Sequence, residues 1–165
     1  MRAESLHALI LLAAIVGVGL SAFAYAESVY PPLQHDCSVN PFFSCAKVDA
    51  SGQTTTLGVP DWAIGLGGFL LLLAIDLPLY ASWDPRLLRA LAAVSAFGVA
   101  VSLYLAYVEL FRIDALCPVC LSAYGANLIV FGSALALLWK GRAAAPEPPS
   151  TDGRAAPSDP GPKSA

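Results

Sequence analysis

The sequence predicts an all-α integral membrane protein whose helices form a four-helix bundle. Hydrophobic residues make up 57% of the 165 positions and charged residues only 13%, and the mean hydropathy is +0.66. A soluble domain carries about 25% charged residues, so this composition is typical of a membrane protein. Four apolar runs are each long enough for one span of about 20 residues. They cover about residues 7–25, 62–80, 87–110 and 117–139.

The first apolar run, residues 7–25, is expected to be kept as a membrane helix. Ala13, Gly17 and Ser21 recur at four-residue spacing, and such a ridge of small residues suits close contact with another helix. Residues 24–26 also resemble the cleavage site of a signal peptide. The run is longer than the apolar region of about 7–15 residues that signal peptides usually carry, so we expect no cleavage.

The long polar connection of residues 26–61 holds Cys37 and Cys45. Asn40 and the proline after it predict a helix N-cap followed by proline at the first helical position. We therefore expect a short helix that runs from this cap through Val48 and contains Cys45.

Polar residues are expected at the ends of the second and third spans. Asp61 is a candidate N-cap for the second span, and three glycines within residues 65–68 would let a helix or a ligand approach the backbone. Glu109 and Arg112 are expected at the outer membrane interface. His35, in the polar connection, is expected to be an exposed loop residue.

The fourth span opens with a Cys-Pro-Val-Cys motif, Cys117 to Cys120. Two cysteines separated by two residues suit either a redox dithiol or half of a metal site. Pro118 fits the first helical position, so Cys117 lies at the helix N-terminus, where the macrodipole favours a thiolate. Tyr124 and Asn127 follow on the same helix face as Cys120. This polar stripe in an apolar helix indicates a functional site.

The basic residues in the short connections predict the orientation in the membrane. With both termini on one side, five basic residues fall on that side and two on the other. The positive-inside rule then favours cytoplasmic termini, and all four cysteines lie at the extracytoplasmic end, where disulfides persist. The five residues are Arg2, Arg86, Arg89, Lys140 and Arg142, and the two are Lys47 and Arg112.

Beyond the membrane domain of residues 1–140, residues 141–165 are rich in Ala, Pro and Ser. They are predicted to form a disordered cytoplasmic tail. The net charge of −3 gives no basic surface for nucleic acid.

Two cysteine pairs at one membrane surface suit a relay, because thiol–disulfide exchange moves electrons from pair to pair through mixed disulfides. The arrangement resembles the vitamin K epoxide reductase family over about residues 6–140. The motifs that carry the resemblance are Cys37 and Cys45 with seven residues between them, Cys117-Pro118-Val119-Cys120, Tyr124 four residues later, residues 102–107 of the third span, and residues 58–60 before the second.

The resemblance implies a four-helix bundle around a quinone pocket that is capped by the cysteine loop. It also implies that Cys37 and Cys45 form a shuttle pair and that Cys117 and Cys120 form the active-site pair, with Cys120 nearest the quinone. We expect Cys117 to exchange with a loop cysteine, Cys45 in preference to Cys37.

Prokaryotic members of that family oxidise secreted thioredoxin-like proteins and pass the electrons to a membrane quinone. The resemblance therefore implies a disulfide-forming enzyme of the plasma membrane that uses menaquinone, ubiquinone or a related quinone. Some prokaryotic members carry a fused thioredoxin-like domain, and this chain ends in the proline-rich tail. The expected partner is a separate thioredoxin-like protein, either secreted or membrane-anchored.

The residues expected to bind the quinone are Cys120, Tyr124, Asp61 and Asn127. Tyr124 matches the position where the family places a tyrosine hydroxyl against a quinone oxygen. Asp61 matches a position that carries Asn in vertebrate members, and since an ionised Asp cannot donate a hydrogen bond, it either binds the quinone or only caps a helix. Asn127 either lines the pocket or bonds a neighbouring helix backbone.

Three other functions are alternatives. Animal members of the family reduce vitamin K epoxide and quinone in the endoplasmic reticulum membrane. A cysteine-ligated metal protein is a further alternative, since four cysteines can bind zinc tetrahedrally. The seven residues between Cys37 and Cys45 exceed the spacing of about two to four that is usual for zinc ligands, and no metal ligands are assigned. The last alternative is a structural membrane protein with two inert disulfides.

Overall fold

The computed structural model describes residues 3–30, 32–33, 37–38, 40–52, 54–56 and 58–143. In these parts of the chain, four helices are long and apolar enough to cross a membrane, which confirms the predicted all-α membrane bundle. The elements in chain order are α1 (Ala3–Val29), α2 (Cys45–Ala50), β1 (Thr55–Thr56), β2 (Val59–Pro60), α3 (Asp61–Ala81), α4 (Pro85–Val108) and α5 (Pro118–Ala143), and a π-helical turn (Glu109–Ile113) extends α4.

The four long helices form a ring in which each helix packs against two neighbours. Helix α1 contacts α3 and α5, and α4 contacts the same two helices from the other side. Aliphatic side chains fill the centre, whereas large apolar side chains such as Phe97 and Trp139 point outward, as expected for a surface that faces lipid. The fully buried aliphatic residues are Ile10, Leu79, Leu88, Leu91, Val130 and Leu137.

Polar caps and prolines set the starts of α4 and α5. Asp84 accepts a hydrogen bond from the Arg86 N–H at 2.7 Å, and Pro85 takes the first helical position. Helix α4 therefore begins at residue 85 and not at 87. Pro118 begins α5, as its fixed φ and missing N–H predict.

The ridge of small residues on α1 brings α3 close, as its spacing predicts. Ala13, Gly17 and Ser21 are all buried. A Cβ atom at Gly17 would overlap the ring of Phe69, and one at Gly65 of α3 would lie 2.8 Å from the Ser21 hydroxyl oxygen. The two backbones can approach this closely only because these positions lack larger side chains.

We expect Gly17→Val to destabilise the bundle by about 1–3 kcal/mol, because overpacking of a well-packed core costs about that much. Gly19→Val is the matched control, since a Cβ at Gly19 meets no atom within 4 Å and the change in helix propensity is the same. Thermal unfolding in detergent measures both variants. Equal melting temperatures for the two would contradict the close packing of α1 on α3.

A buried hydrogen bond between two ionisable side chains joins α1 and α3 at the end of the bundle far from the cysteines. His7 Nδ1 lies 2.9 Å from Asp76 Oδ1, and both side chains are buried. The rings of Tyr80 and Trp83 meet the His7 ring edge-on. An ionisable group inside a span is costly unless it is paired, so this contact ties the two helices together.

The short helix of the cysteine loop begins later than predicted. Phe43 pairs with Leu116 in an isolated parallel bridge, so the backbone there is extended and cannot be helical. Asn40 instead caps the turn of residues 40–43, because its side-chain oxygen accepts the backbone N–H groups of Phe42 and Phe43. Ser44 is the N-cap of α2, and the bridge docks the loop against the segment that leads into α5.

The prediction that Asp61 caps α3 is wrong. Pro60 occupies the N-cap, and Asp61 is the first helical residue and makes no capping hydrogen bond with its side chain. The β1–β2 hairpin holds it in this place. Its N–H donates to the Thr54 carbonyl at 2.9 Å, and its carboxylate accepts the Thr56 hydroxyl at 2.7 Å.

Two predictions fall on residues that the structure does not describe. One is the exposure of His35. The other is the disordered tail, of which only residues 141–143, the end of α5, are described.

Candidate active site

The loop cysteines form a disulfide that lies against the start of α5. Cys37 and Cys45 are bonded, with their Cα atoms 5.7 Å apart. Cys45 is the first residue of α2 and is 4% exposed. It packs in a small apolar cluster with Val48, Ala115 and Cys117. Docking of the loop therefore brings one sulfur of its disulfide into the protein interior.

Cys117 is a free thiol in contact with that disulfide. Its sulfur lies 3.3 Å from the Cys45 sulfur, and it accepts the Cys120 backbone N–H at 3.3 Å. A hydrogen bond from the Cys120 thiol lowers the pKa of the Cys117 thiol below its ordinary value, although burial opposes the effect. Cys117 is thus a buried thiol whose pKa is lowered, which favours the reactive thiolate, and its sulfur contacts the loop disulfide.

Glu109 lies beside this thiol, whereas the sequence suggested that it faced the outer interface. It is 4% exposed, and its Oε2 accepts the Cys117 N–H at 3.0 Å. Its Oε1 accepts the Tyr124 hydroxyl at 2.9 Å. Glu109 continues the face of α4 that lines the cavity at Ser102 and Leu105, at the spacing of three to four residues that places side chains on one helix face. Arg112, in the same π-helical turn as Glu109, is exposed as expected.

A signal for Glu109 was present in the sequence. A carboxyl within an apolar span is a functional candidate by default, because burying it in a membrane is costly. The prediction failed because Glu109 stands one turn from the end of its span, where an interfacial position is equally compatible with the pattern.

A cavity of about 580 Å³ lies between the four long helices and adjoins the cysteine loop. Its walls are mainly aliphatic and aromatic, and Gly67 and Gly68 leave open space along α3. Six of the seven residues predicted to act in the redox pairs or to bind the quinone line it, and Cys37 is the one that does not. The six are Cys45, Asp61, Cys117, Cys120, Tyr124 and Asn127.

Asn127 fulfils both of the roles that the sequence left open. Its side-chain nitrogen donates to the Ser95 carbonyl of α4 at 3.4 Å, and it also lines the cavity. Gly98 permits this contact, since a Cβ there would lie 2.8 Å from the same nitrogen. Asp61 lines the cavity too, with its carboxylate oriented by Thr56.

Comparison with known proteins identifies the family. No curated protein matches the chain. Residues 8–135 match the sequence pattern of the vitamin K epoxide reductase family, and this stretch contains all four cysteines and the four membrane helices apart from their outermost residues. The chain therefore belongs to the vitamin K epoxide reductase family, and it is a membrane oxidoreductase.

Proposed function

We propose that this protein oxidises a thioredoxin-like partner and passes the electrons through its two cysteine pairs to a membrane quinone. The observation that carries the proposal is the 3.3 Å contact between the Cys45 and Cys117 sulfurs. It joins a loop disulfide to a free thiol whose neighbour, Cys120, lines the cavity. The product is a disulfide in the partner, so the enzyme supports disulfide bond formation.

Electrons enter through the loop. The partner dithiol reduces the Cys37–Cys45 disulfide and leaves as a disulfide itself. The Cys45 thiolate then attacks Cys117 in the oxidised helix pair, which forms a Cys45–Cys117 disulfide and releases the Cys120 thiolate. Attack of Cys37 on Cys45 restores the loop disulfide and releases Cys117 as a thiolate.

Two features of the site fit this exchange. The Cys45 and Cys117 sulfurs, which the exchange joins, are 3.3 Å apart. Cys117 is the leaving group of the last step, and a thiol with a lowered pKa leaves faster. The helix pair then holds two electrons next to the cavity.

The cavity has the properties that a quinone ring requires. Its volume of about 580 Å³ lies within the range of about 300–1,000 Å³ for small-molecule sites, and few polar groups interrupt its apolar walls. In the proposal, Cys120 and Tyr124 meet the quinone, and Asp61 and Asn127 contact its polar edge. A bound quinone, whether menaquinone, ubiquinone or a related one, would accept two electrons and two protons.

An anaerobic assay of the purified protein tests this function. A reduced thioredoxin-like protein and a short-chain ubiquinone are mixed with the enzyme, and the loss of quinone absorbance is followed. We expect turnover that needs both the enzyme and the thiol protein. A rate no higher than that without enzyme would contradict the proposal. Reduction of vitamin K epoxide, but not of ubiquinone, by the same thiol protein and enzyme would favour the epoxide reductase activity of animal members.

We also propose that the cysteine end faces the outside of the plasma membrane. After mild reduction, an impermeant maleimide added to intact cells should label Cys37 or Cys45, because the basic residues favour cytoplasmic termini. Ser82→Cys in a chain without native cysteines is the control, since Ser82 is exposed in the turn at the opposite end. Labelling of Ser82→Cys alone would reverse the orientation.

A metal site is the second candidate function. The sulfurs of Cys37, Cys45 and Cys117 all lie within 4.8 Å of one another, a separation that a bound ion could span. The Cys37–Cys45 bond removes two of these ligands, because only a thiolate binds metal. Zinc bound stoichiometrically by the fully reduced protein, without quinone reduction, would favour this candidate.

A further inference from the structure

Glu109 connects the helix cysteine pair to the tyrosine that lines the cavity. One carboxyl oxygen accepts the Cys117 backbone N–H and the other accepts the Tyr124 hydroxyl, at 3.0 and 2.9 Å. The Cys120 thiol is a further neighbour of the same carboxyl. Glu109 also lines the cavity. These contacts place a proton-accepting group between the reacting sulfurs and a hydroxyl that faces the cavity.

We propose that Glu109 carries one of the two protons of the redox reaction, a role that rests on the proposed quinone chemistry. Its carboxylate takes a proton from the reduced Cys117–Cys120 pair. The resulting carboxylic acid returns that proton to the cavity through the Tyr124 hydroxyl. Tyr124 can relay it because a hydroxyl both donates and accepts a hydrogen bond.

The charges around the site favour this role. Among the described residues, no Lys, Arg or His lines the cavity, so no cation there would balance a thiolate beside a carboxylate. Two adjacent anions in apolar surroundings repel each other strongly, so the thiolate and the Glu109 carboxylate are not both unprotonated: one of the two groups keeps a proton. The other titratable groups that line the cavity are Glu27 on α1, Asp49 on α2, Asp61 on α3, and Cys117, Cys120 and Tyr124 at α5. Lys47 on α2 is exposed and donates to the Asp114 backbone carbonyl.

The reaction balances with Glu109 in this role. Transfer from the loop releases Cys120 and Cys117 as thiolates, and these take up the two protons that the Cys37 and Cys45 thiols lose. Two thiols then lie beside a Glu109 carboxylate. One proton moves to Glu109, so that the sulfur pair keeps one proton and one negative charge. As the Cys117–Cys120 disulfide forms, two electrons leave the sulfurs and pass to the quinone with the remaining thiol proton and the Glu109 proton. Glu109 is again a carboxylate, and no proton from solvent is required.

A merely structural role for Glu109 would differ from this one in a measurable way. As an anchor for the Cys117 N–H, the carboxyl would keep the same charge in both redox states. As a proton carrier, it is protonated when the helix pair is reduced and ionised when the pair is a disulfide. Infrared difference spectroscopy distinguishes the two, because only a protonated carboxyl shows the C=O stretching band of an acid.

The experiment compares the dithiothreitol-reduced protein with the same protein after oxidation by diamide, without quinone. We expect oxidation to remove an acid C=O band in the wild-type protein, and we expect this change to be absent in Glu109→Gln. Glu27→Gln is the matched control, since Glu27 is a second buried carboxyl at the cavity. A band change that survives in Glu109→Gln, or that is lost in Glu27→Gln instead, overturns the proposal.

Turnover gives a second readout. Glu109→Gln should reduce the quinone about 10²–10⁴-fold more slowly, the usual effect of removing a positioned proton-transfer group. Exchange with the loop, measured by Cys45–Cys117 disulfide formation in a Cys120→Ala background, should slow far less, because no proton has to reach the cavity in that reaction. Tyr124→Phe should slow turnover and keep the infrared change, which provides a test if Glu109→Gln does not fold.

The outcomes for Glu109 and for the proposed function can be told apart. If Glu109→Gln reduces quinone at the wild-type rate, the role of Glu109 is overturned, but the proposed electron transfer through the two cysteine pairs is not. A wild-type protein that reduces no quinone overturns the proposed function, and the proton role with it.

Discussion

Cys120→Ala is expected to abolish quinone reduction and to leave Cys117 able to form a disulfide with Cys45. The Cys120 thiol lines the cavity, whereas Cys117 contacts the loop pair. Without Cys120 the helix disulfide cannot form, so two electrons cannot leave the helix pair. We expect a loss on the order of a thousandfold or more, because the members of a covalent relay act as a unit.

The same variant should reveal the exchange partner of Cys117. The Cys117 thiolate can still attack Cys45 in the loop disulfide and displace Cys37, which alkylation then prevents from returning. Non-reducing digestion and mass spectrometry detect the resulting Cys45–Cys117 peptide. Ser122→Ala, an exposed position two residues further along the helix, is the control and should keep full activity. Full quinone reduction by Cys120→Ala would refute the assignment of this residue.

Cys45→Ala is expected to block electron transfer from the partner and to spare part of the turnover driven by a small permeant dithiol. Its sulfur is the loop atom in contact with Cys117, so its loss disconnects the loop from the helix pair. A small dithiol that enters the cavity can reduce the Cys117–Cys120 disulfide directly. Partner-driven quinone reduction should fall on the order of a thousandfold or more, whereas the dithiol-driven rate should fall much less.

Cys37→Ala provides the matched comparison, since it removes the other half of the same disulfide. In that variant Cys45 can still attack Cys117, but the loop has no second thiol to attack Cys45 and release Cys117. We therefore expect a Cys45–Cys117 cross-link to accumulate in Cys37→Ala, and no loop-to-helix cross-link in Cys45→Ala. A Cys37–Cys117 cross-link with normal partner-driven turnover in Cys45→Ala would reverse the order of the loop cysteines.

The fold could be predicted from the sequence because its main signals are local. Each apolar run is long enough for one span, and Pro118 with the cysteine pair marks the start of α5. The ridge of Ala13, Gly17 and Ser21 likewise predicted a close helix contact, which α3 provides. Each of these patterns involves residues that are close together in the sequence, so they can be recognised without knowing the tertiary structure.

The parts that could not be predicted depend on contacts between distant segments. The extended backbone at Phe43 comes from pairing with Leu116, and the position of Asp61 comes from the hairpin before it. His7 and Asp76 meet across 69 positions of sequence. Periodicity and capping rules describe one element at a time, and they do not identify such partners.

At the active site, the contacts of Glu109 likewise could not be predicted from the sequence. Cysteine spacing and a family resemblance pointed to the redox pairs, to Tyr124 and to the cavity face of α5. Neither identified the acidic residue that contacts them, because an acid one turn from the end of an apolar span is also compatible with a position at the membrane interface. The groups that Glu109 contacts lie eight and fifteen residues away in sequence, at Cys117 and Tyr124, and rules that describe a single element do not identify them.

The number of quinone molecules reduced by one fully reduced protein tests the relay most directly. The enzyme is reduced at all four cysteines, freed of reductant, and mixed anaerobically with excess short-chain ubiquinone. If both cysteine pairs feed one quinone site, the wild-type protein should reduce two quinones per chain, and Cys45→Ala should reduce one. A wild-type yield of one quinone per chain would show that the loop pair does not deliver its electrons to the helix pair, and would contradict the account.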